Sequence, residues 1–238
     1  MKKQNTLRIL IVIPVSTKQW NEPTKRNASN YVSSNTKIDV VNLEKAPEAI
    51  ENHYEVALAA PATVEAVIEA ERKGYDAVVI GCFDDPGLHA ARERVSIPVV
   101  GLGETSMTTA SLLGNKFAVI STGKNSGAIN ERKAMELGLI KKLAYSSGIN
   151  VPVLKLTKDK AKVRQRLLKE AKKAIDEFGA EAIVLGCGGM MGFSEEMCNV
   201  LKVPVIDPLL ITVKMAETLA TLGLTHSKAH FYNAFSRK

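Results

Sequence analysis

The chain carries one strand-glycine-cysteine pattern twice. Tyr75-Asp76-Ala77-Val78-Val79-Ile80-Gly81-Cys82 and Ala180-Glu181-Ala182-Ile183-Val184-Leu185-Gly186-Cys187 align so that Cys187 falls 105 positions after Cys82. The same offset relates Gly74 to Gly179. It also relates Ser16-Thr17, after the apolar run 9–13, to Ser121-Thr122, after the run 117–120. Self-similarity at a fixed period reports repeated architecture, and two copies of about a hundred residues imply paired half-domains rather than a solenoid. A chain so built is constrained to fold twice in the same way, and a site between the halves would receive one thiol from each.

Short β-branched runs alternate with longer amphipathic stretches, which is the pattern of βαβ units. In the first half the runs 9–13, 38–41, 77–80 and 98–101 read as strands, with helices at 22–32, 54–73, 88–94 and around 106–113. In the second half strands are expected at 117–120, near 153–156, at 182–185 and at 204–206. Helices are expected there at 126–137, 160–178 and 194–201, with a last helix at 212–222 returning to the first half. The expected fold class is α/β: two pseudo-symmetric doubly wound parallel-sheet domains with the active site between them. Residues 1–104 plus 212–238 would form the first lobe and 105–211 the second.

Charge and cysteine content narrow the function. The 238 residues carry a formal net charge of +7 and a 45% hydrophobic share, enough to build a substantial core. The densest basic stretch, 155–173, interleaves its cations with Val163, Leu167, Leu168, Ala171 and Ile175 at helical spacing, the signature of a solvated helix face. Aromatic residues make up only 5%, and none interleaves with the basic residues to stack bases, so no nucleic-acid partner is expected. No apolar run approaches membrane-spanning length, and the run 7–15, interrupted by Arg8, reads as a strand rather than a signal peptide. Three cysteines with no closely spaced pair argue for a reducing compartment, with cytoplasmic localisation as the default.

In doubly wound sheets ligands bind beyond the carboxyl ends of the strands. Gly81-Cys82 and Gly186-Cys187 fall there, as do Ser16-Thr17 and Ser121-Thr122. Opposed thiols suit deprotonation on one face of a carbon and reprotonation on the other, which inverts its configuration. A free thiol pKa near 8.5 keeps both protonation states accessible. Hydroxyls, with backbone N–H groups at Phe83, Asp84, Gly188 and Gly189, could stabilise the developing enolate. No spacing demands a metal or a cofactor.

The segments Gly81-Cys82-Phe83-Asp84-Asp85-Pro86-Gly87-Leu88, Pro98-Val99-Val100-Gly101-Leu102-Gly103-Glu104, Leu185-Gly186-Cys187-Gly188-Gly189-Met190 and Val203-Pro204-Val205-Ile206-Asp207-Pro208 resemble the hydantoin racemase family of the aspartate/glutamate racemase superfamily. The likeness runs from about Leu7 to Tyr232. It implies cofactor-independent racemisation of a small-molecule carbon acid such as a 5-substituted hydantoin, with Cys82 and Cys187 as the acid/base pair. Candidate substrate-binding residues are Pro14, Ser16, Phe83, Asp84, Ser121, Thr122, Gly188 and Gly189. Family members usually carry Asn-Pro-Asn after the first strand, whereas this chain reads Ile13-Pro14-Val15-Ser16-Thr17, without either amide side chain. Alternatives are an aspartate/glutamate-type amino-acid racemase, a malonate-type decarboxylase, or a redox-sensing ligand-binding protein without catalysis. A symmetric homo-oligomer is the expected assembly.

Other residues carry blander expectations. Asp84 and Asp85 read as caps of the following helix, Lys124 as a solvated loop lysine, and Cys198 as a packed helix residue. His226 and His230 are spaced like a helical pair but have no cysteine or carboxylate nearby to complete a metal site.

Overall fold

The computed structural model describes residues 6–233. Two compact units emerge: one runs to Gly101 and resumes at Thr212, and the other is Leu102–Ile211. The first contains β1 (Leu7–Ile13), α1 (Asn21–Ser29), β2 (Thr36–Asn42), α2 (His53–Arg72), β3 (Ala77–Ile80), α3 (Leu88–Arg94) and β4 (Val99–Gly101). Its sheet is wholly parallel with strand order β2-β1-β3-β4.

Interior strands of such a sheet are covered on both faces, so they read as continuous apolar runs. In β1 and β3, Leu10, Val12, Val78 and Ile80 pack with Val99 of β4, Val67 and Ala70 of α2, and Leu88, Ala91 and Val95 beside α3. The alternate residues Ile9, Ile11, Ala77 and Val79 point to the opposite face and are equally buried. Each such aliphatic side chain contributes about 1.5–3 kcal/mol when taken fully from water. Asn52 starts α2 by accepting the Glu55 N–H at 3.0 Å.

The second unit contains α4 (Leu102–Leu113), β5 (Phe117–Ser121), α5 (Ser126–Glu136), β6 (Leu143–Gly148), α6 (Lys160–Phe178), β7 (Ala182–Leu185), α7 (Ser194–Leu201) and β8 (Val205–Ile206). Its strand order, β6-β5-β7-β8, repeats that of the first unit, again all parallel. The last helix, α8 (Pro208–Leu222), begins in this unit, and its residues from Thr212 onward belong to the first. The basic helix α6 buries Val163, Leu167, Ala171 and Ala174 and leaves most of its lysines exposed, as its spacing predicts.

Three elements depart from expectation, the first being α4, which starts at Leu102 rather than near 106. The stretch 153–156 is not a strand but a 3-10 turn, Val153–Lys155, entered from Pro152 and closed by the Leu156 N–H on the Val153 carbonyl. The strand in question is β6, whose sequence Leu-Ala-Tyr-Ser-Ser-Gly lacks an apolar pattern. It is a half-buried edge strand, and the hydroxyls of Tyr145 and Ser147 donate to Glu170 of α6 at 2.7 and 2.8 Å. Helix α8 starts at Pro208 rather than at 212, because proline is well tolerated at the first helical position and Asp207 caps the turn.

Both outer strands on the β4 and β8 sides have side chains covering their open edges. The outward N–H of Val99 meets His226 Nε2 at 2.9 Å, and the Val99 carbonyl accepts from Arg92 Nε at 3.0 Å. The N–H of Val205 meets Cys198 Sγ at 3.1 Å. His226 and His230 therefore do not form a helical pair. Residues 224–233 follow α8 without helix, and His226 is committed to the β4 edge.

Candidate functional site

In each sheet the chain leaves the two central strands in opposite directions, one toward β2 or β6 and the other toward β4 or β8. That reversal opens a crevice at the strands' carboxyl ends, the usual ligand position in open α/β sheets. The crevice of the first unit joins the loop after β1, with Pro14 and Ser16, to the loop after β3, with Cys82. The crevice of the second unit joins Ser121 and Thr122 after β5 to Cys187 after β7.

In the first unit, Gly81 extends β3 by donating to the Val12 carbonyl at 2.7 Å. The contact is close enough that a Cβ on Gly81 would stand 3.1 Å from that oxygen. Cys82 follows, half-buried, and its carbonyl accepts the Asp85 N–H at 3.1 Å to form a tight turn. Asp85 completes the turn with φ +53°, a left-handed conformation that aspartate tolerates better than most residues. Phe83 is buried, and Asp84 is half-buried.

Gly87, not Asp84 or Asp85, occupies the N-cap position of α3. Gly87 precedes the helix with no side-chain cap, and the Leu88 N–H goes to the backbone carbonyl of Asp85. The Asp85 carboxylate is instead buried against Gly101. A Cβ there would lie 2.5 Å from its Cγ and Oδ1, so only glycine fits beneath it.

The segment Ile13-Pro14-Val15-Ser16-Thr17 is held by asparagines from elsewhere. Asn42, closing β2, donates through Nδ2 to the Ser16 carbonyl at 2.8 Å and accepts from Asn21 Nδ2 at 3.1 Å. The Ser16 N–H reaches the Pro47 carbonyl at 2.9 Å, and the Leu43 N–H the Val15 carbonyl at 3.0 Å. Asn21 and Asn42 were not singled out in the sequence. Their only signal is an amide residue at a helix start and at a strand end, which is common at any loop.

In the second unit Gly186 donates to the Ile120 carbonyl at 2.8 Å, repeating the Gly81 arrangement. Its approach to Ser121 is closer still, since a Cβ on Gly186 would stand 2.7 Å from the Ser121 Cβ. The Ser121 hydroxyl donates to the Gly186 carbonyl at 2.7 Å, so its one proton is committed to fixing the residue before the thiol. Thr122 is buried, with its carbonyl accepting from the Val151 N–H at 3.1 Å, while Lys124 is exposed. Gly148, ending β6, passes so near this loop that a Cβ there would overlap the Gly123 carbonyl.

Cys187 is extended and caps a 3-10 turn, Gly188–Met190. The turn is closed by the Met190 N–H on the Cys187 carbonyl at 3.0 Å, and the Gly189 N–H is aimed at the Cys187 sulfur at 3.4 Å. Of the backbone donors expected to face an enolate, Gly189 is therefore directed at the thiol. An amide dipole against sulfur places partial positive charge where a thiolate needs it. Met190 is fully buried under the turn, and Asp207, buried at the start of α8, hydrogen-bonds its far end.

Comparison with known proteins identifies the family. The family model described as Asp/Glu/Hydantoin racemase matches residues 9–216. A hydantoin racemase from Paenarthrobacter aurescens is 35% identical over 233 residues, which cover 98% of this chain and 99% of that protein. Among solved structures, an allantoin racemase from Klebsiella pneumoniae is 32% identical with a TM-score of 0.92, covering 98% of this chain and 95% of that one. The allantoin racemase from Pseudomonas fluorescens is 31% identical with a TM-score of 0.93, covering 98% of each. Likeness in sequence and in fold thus extends over nearly the whole chain, bearing out the expected family, the α/β class with two parallel sheets, and an isomerase rather than a binding protein. The chain belongs to the Asp/Glu/hydantoin racemase family and is a racemase.

Proposed function

We propose that this racemase inverts C5 of a 5-substituted hydantoin-type substrate without a cofactor, with Cys82 and Cys187 as its acid/base pair. The thiolate of one cysteine takes the C5 proton, and the electron pair left on carbon is delocalised into the adjacent ring carbonyl. The thiol of the other cysteine then delivers its proton to the opposite face. The two sulfurs end with exchanged protonation states, so the reverse direction or exchange with water restores the starting form. The observation that carries this reading is the repetition of a glycine-cysteine pair at the switch point of each sheet, with a backbone N–H aimed at the Cys187 sulfur.

Support for a cyclic ureide comes from near-full-length likeness to racemases named for hydantoin and for allantoin, itself a hydantoin substituted at C5. Pro14, Ser16, Phe83, Asp84, Thr122, Gly188 and Gly189 are the proposed substrate contacts, with Ser121 holding Gly186 in place. A symmetric homo-oligomer belongs to the same reading, and a monomeric mass by light scattering would remove that part of it.

The test is to incubate single enantiomers of 5-substituted hydantoins in deuterated water. Optical rotation should decay with deuterium entering at C5, and Cys82→Ser and Cys187→Ser should each lose at least about a hundredfold in kcat, as expected when a positioned general acid or base is removed. Full activity in either variant would refute the two-thiol mechanism. Exchange with free aspartate or glutamate, and none with hydantoins, would refute the substrate class.

A further inference from the structure

Asp207 closes β8 and stands immediately before Pro208, the first residue of α8. It is 6% exposed, and both of its oxygens accept from backbone. Oδ1 takes the N–H of Leu209 at 3.0 Å and of Leu210 at 3.4 Å, which is ordinary capping of a helix start. Oδ2 takes the N–H of Gly192 at 3.0 Å. Gly192 lies 15 positions earlier, at the end of the loop that begins with Cys187, and has φ +84°.

Capping needs only one acceptor, which serine or asparagine would supply. A carboxylate has acceptors on both arms, so the choice of aspartate answers to the loop rather than to the helix. Burial pushes the Asp207 carboxyl above its ordinary range, and the N–H groups of Gly192, Leu210 and Leu209 pull it back. An ionisable group is thus kept where a neutral cap would suffer less desolvation. The loop between also carries bonds of its own. The Met190 and Met191 N–H groups close the 3-10 turn on Cys187 and Gly188, and buried Met190 anchors its middle.

We infer that Asp207 is a positioning residue for Cys187: it ties the far end of the 187–192 loop to the start of α8 and so keeps the Gly189 N–H on the sulfur. The inference rests on Cys187 being one of the two proton-transferring thiols. Because it acts on the geometry of the thiol and not on a substrate contact, it bears on kcat rather than KM.

Asp207→Asn separates the two jobs. The amide oxygen still caps α8, while the NH2 group meets the Gly192 N–H donor to donor and releases the loop. With the fold retained by circular dichroism, kcat should fall by about tenfold to a hundredfold while KM stays within about twofold. Alkylation by iodoacetamide, mapped to each cysteine by mass across pH, should reach its half-maximal rate at higher pH for Cys187 and at an unchanged pH for Cys82. An unmoved Cys187 profile in folded protein overturns the inference. If Asp207→Asn does not fold, Asp207→Ser, which caps but is too short to reach Gly192, carries the same expectations. Hydrogen exchange on the unaltered protein supplies an arm that needs no variant. Protection of the Gly192 amide comparable to that of Leu209 supports the tether, and exchange at the rate of an open loop overturns it. Full activity in Cys187→Ser removes the catalytic reading, whereas an unmoved alkylation profile in Asp207→Asn removes this one, so the two failures are distinct.

Discussion

Replacing Gly186 with alanine tests the packing that sets Cys187 in place. The glycine has no positive φ, so alanine meets no conformational penalty and the whole effect is steric. The added Cβ would stand 2.7 Å from Ser121 Cβ, 3.0 Å from its Oγ and 3.1 Å from its Cα. No rotamer change moves a Cβ or a Cα, so β5 and β7 must separate locally. Overpacking of this kind costs about 1–3 kcal/mol, and weakening the Ser121 hydroxyl bond to the Gly186 carbonyl adds about 1 kcal/mol. The sum, about 2–4 kcal/mol, should lower Tm by roughly 5–15 °C for a chain of this size. Denaturant unfolding of Gly186→Ala, Ser121→Gly and the double variant measures it directly. Ser121→Gly removes the clashing Cβ and leaves only the approach to Cα, so the double variant should recover about 1–3 kcal/mol relative to the sum of the singles. A Gly186→Ala loss below about 1 kcal/mol, or additivity within about 0.5 kcal/mol, would refute the steric argument.

Gly101→Ala should behave similarly in the first unit, because its Cβ would press on the buried Asp85 carboxylate. Destabilisation of about 1–3 kcal/mol, relieved in combination with Asp85→Ala, is the expected outcome of an unfolding cycle. Glu217 gives a pH signature. Burial pushes its carboxyl up, but the Lys214 ammonium, the Thr36 hydroxyl and the Ser33 N–H outweigh that effect and hold it at about 2. A folded-state value below the ordinary 4.5 means that its contribution is complete above about pH 4.5 and disappears as pH falls toward 2. Glu217→Gln should therefore lower stability at pH 7 by about 2–3 kcal/mol and flatten the loss between pH 4.5 and 2 in acid-unfolding curves, and parallel curves would contradict this.

The interior strands were legible because burial on both faces writes itself as unbroken Val and Ile, and β1, β3, β5 and β7 all lie within a residue or two of their expected bounds. Strand β6 was not, since an edge strand half-covered by α6 satisfies its outer side with Tyr145, Ser147 and Glu170 instead of aliphatic residues. Duplication located the two thiols, but the loops that carry them meet partners from distant positions. In sequence Asp85 looks like a local cap, and Asp207 like a residue closing the last strand. Their other contacts, with Gly101 and Gly192, exist only once the strands are aligned. The Ser121 hydroxyl bond was not legible, because a serine ending one strand gives no sign of a glycine carbonyl 65 positions later.

The side chains that cover the β4 and β8 edges limit how copies of this chain can associate. A strand from another molecule cannot extend either sheet at Val99 or Val205 without first displacing His226, Arg92 or Cys198 from the backbone groups they occupy. Association by continuing a sheet across molecules is thereby opposed at these two positions. Cys198 thus closes a sheet edge: its sulfur occupies the Val205 N–H that an added strand would need.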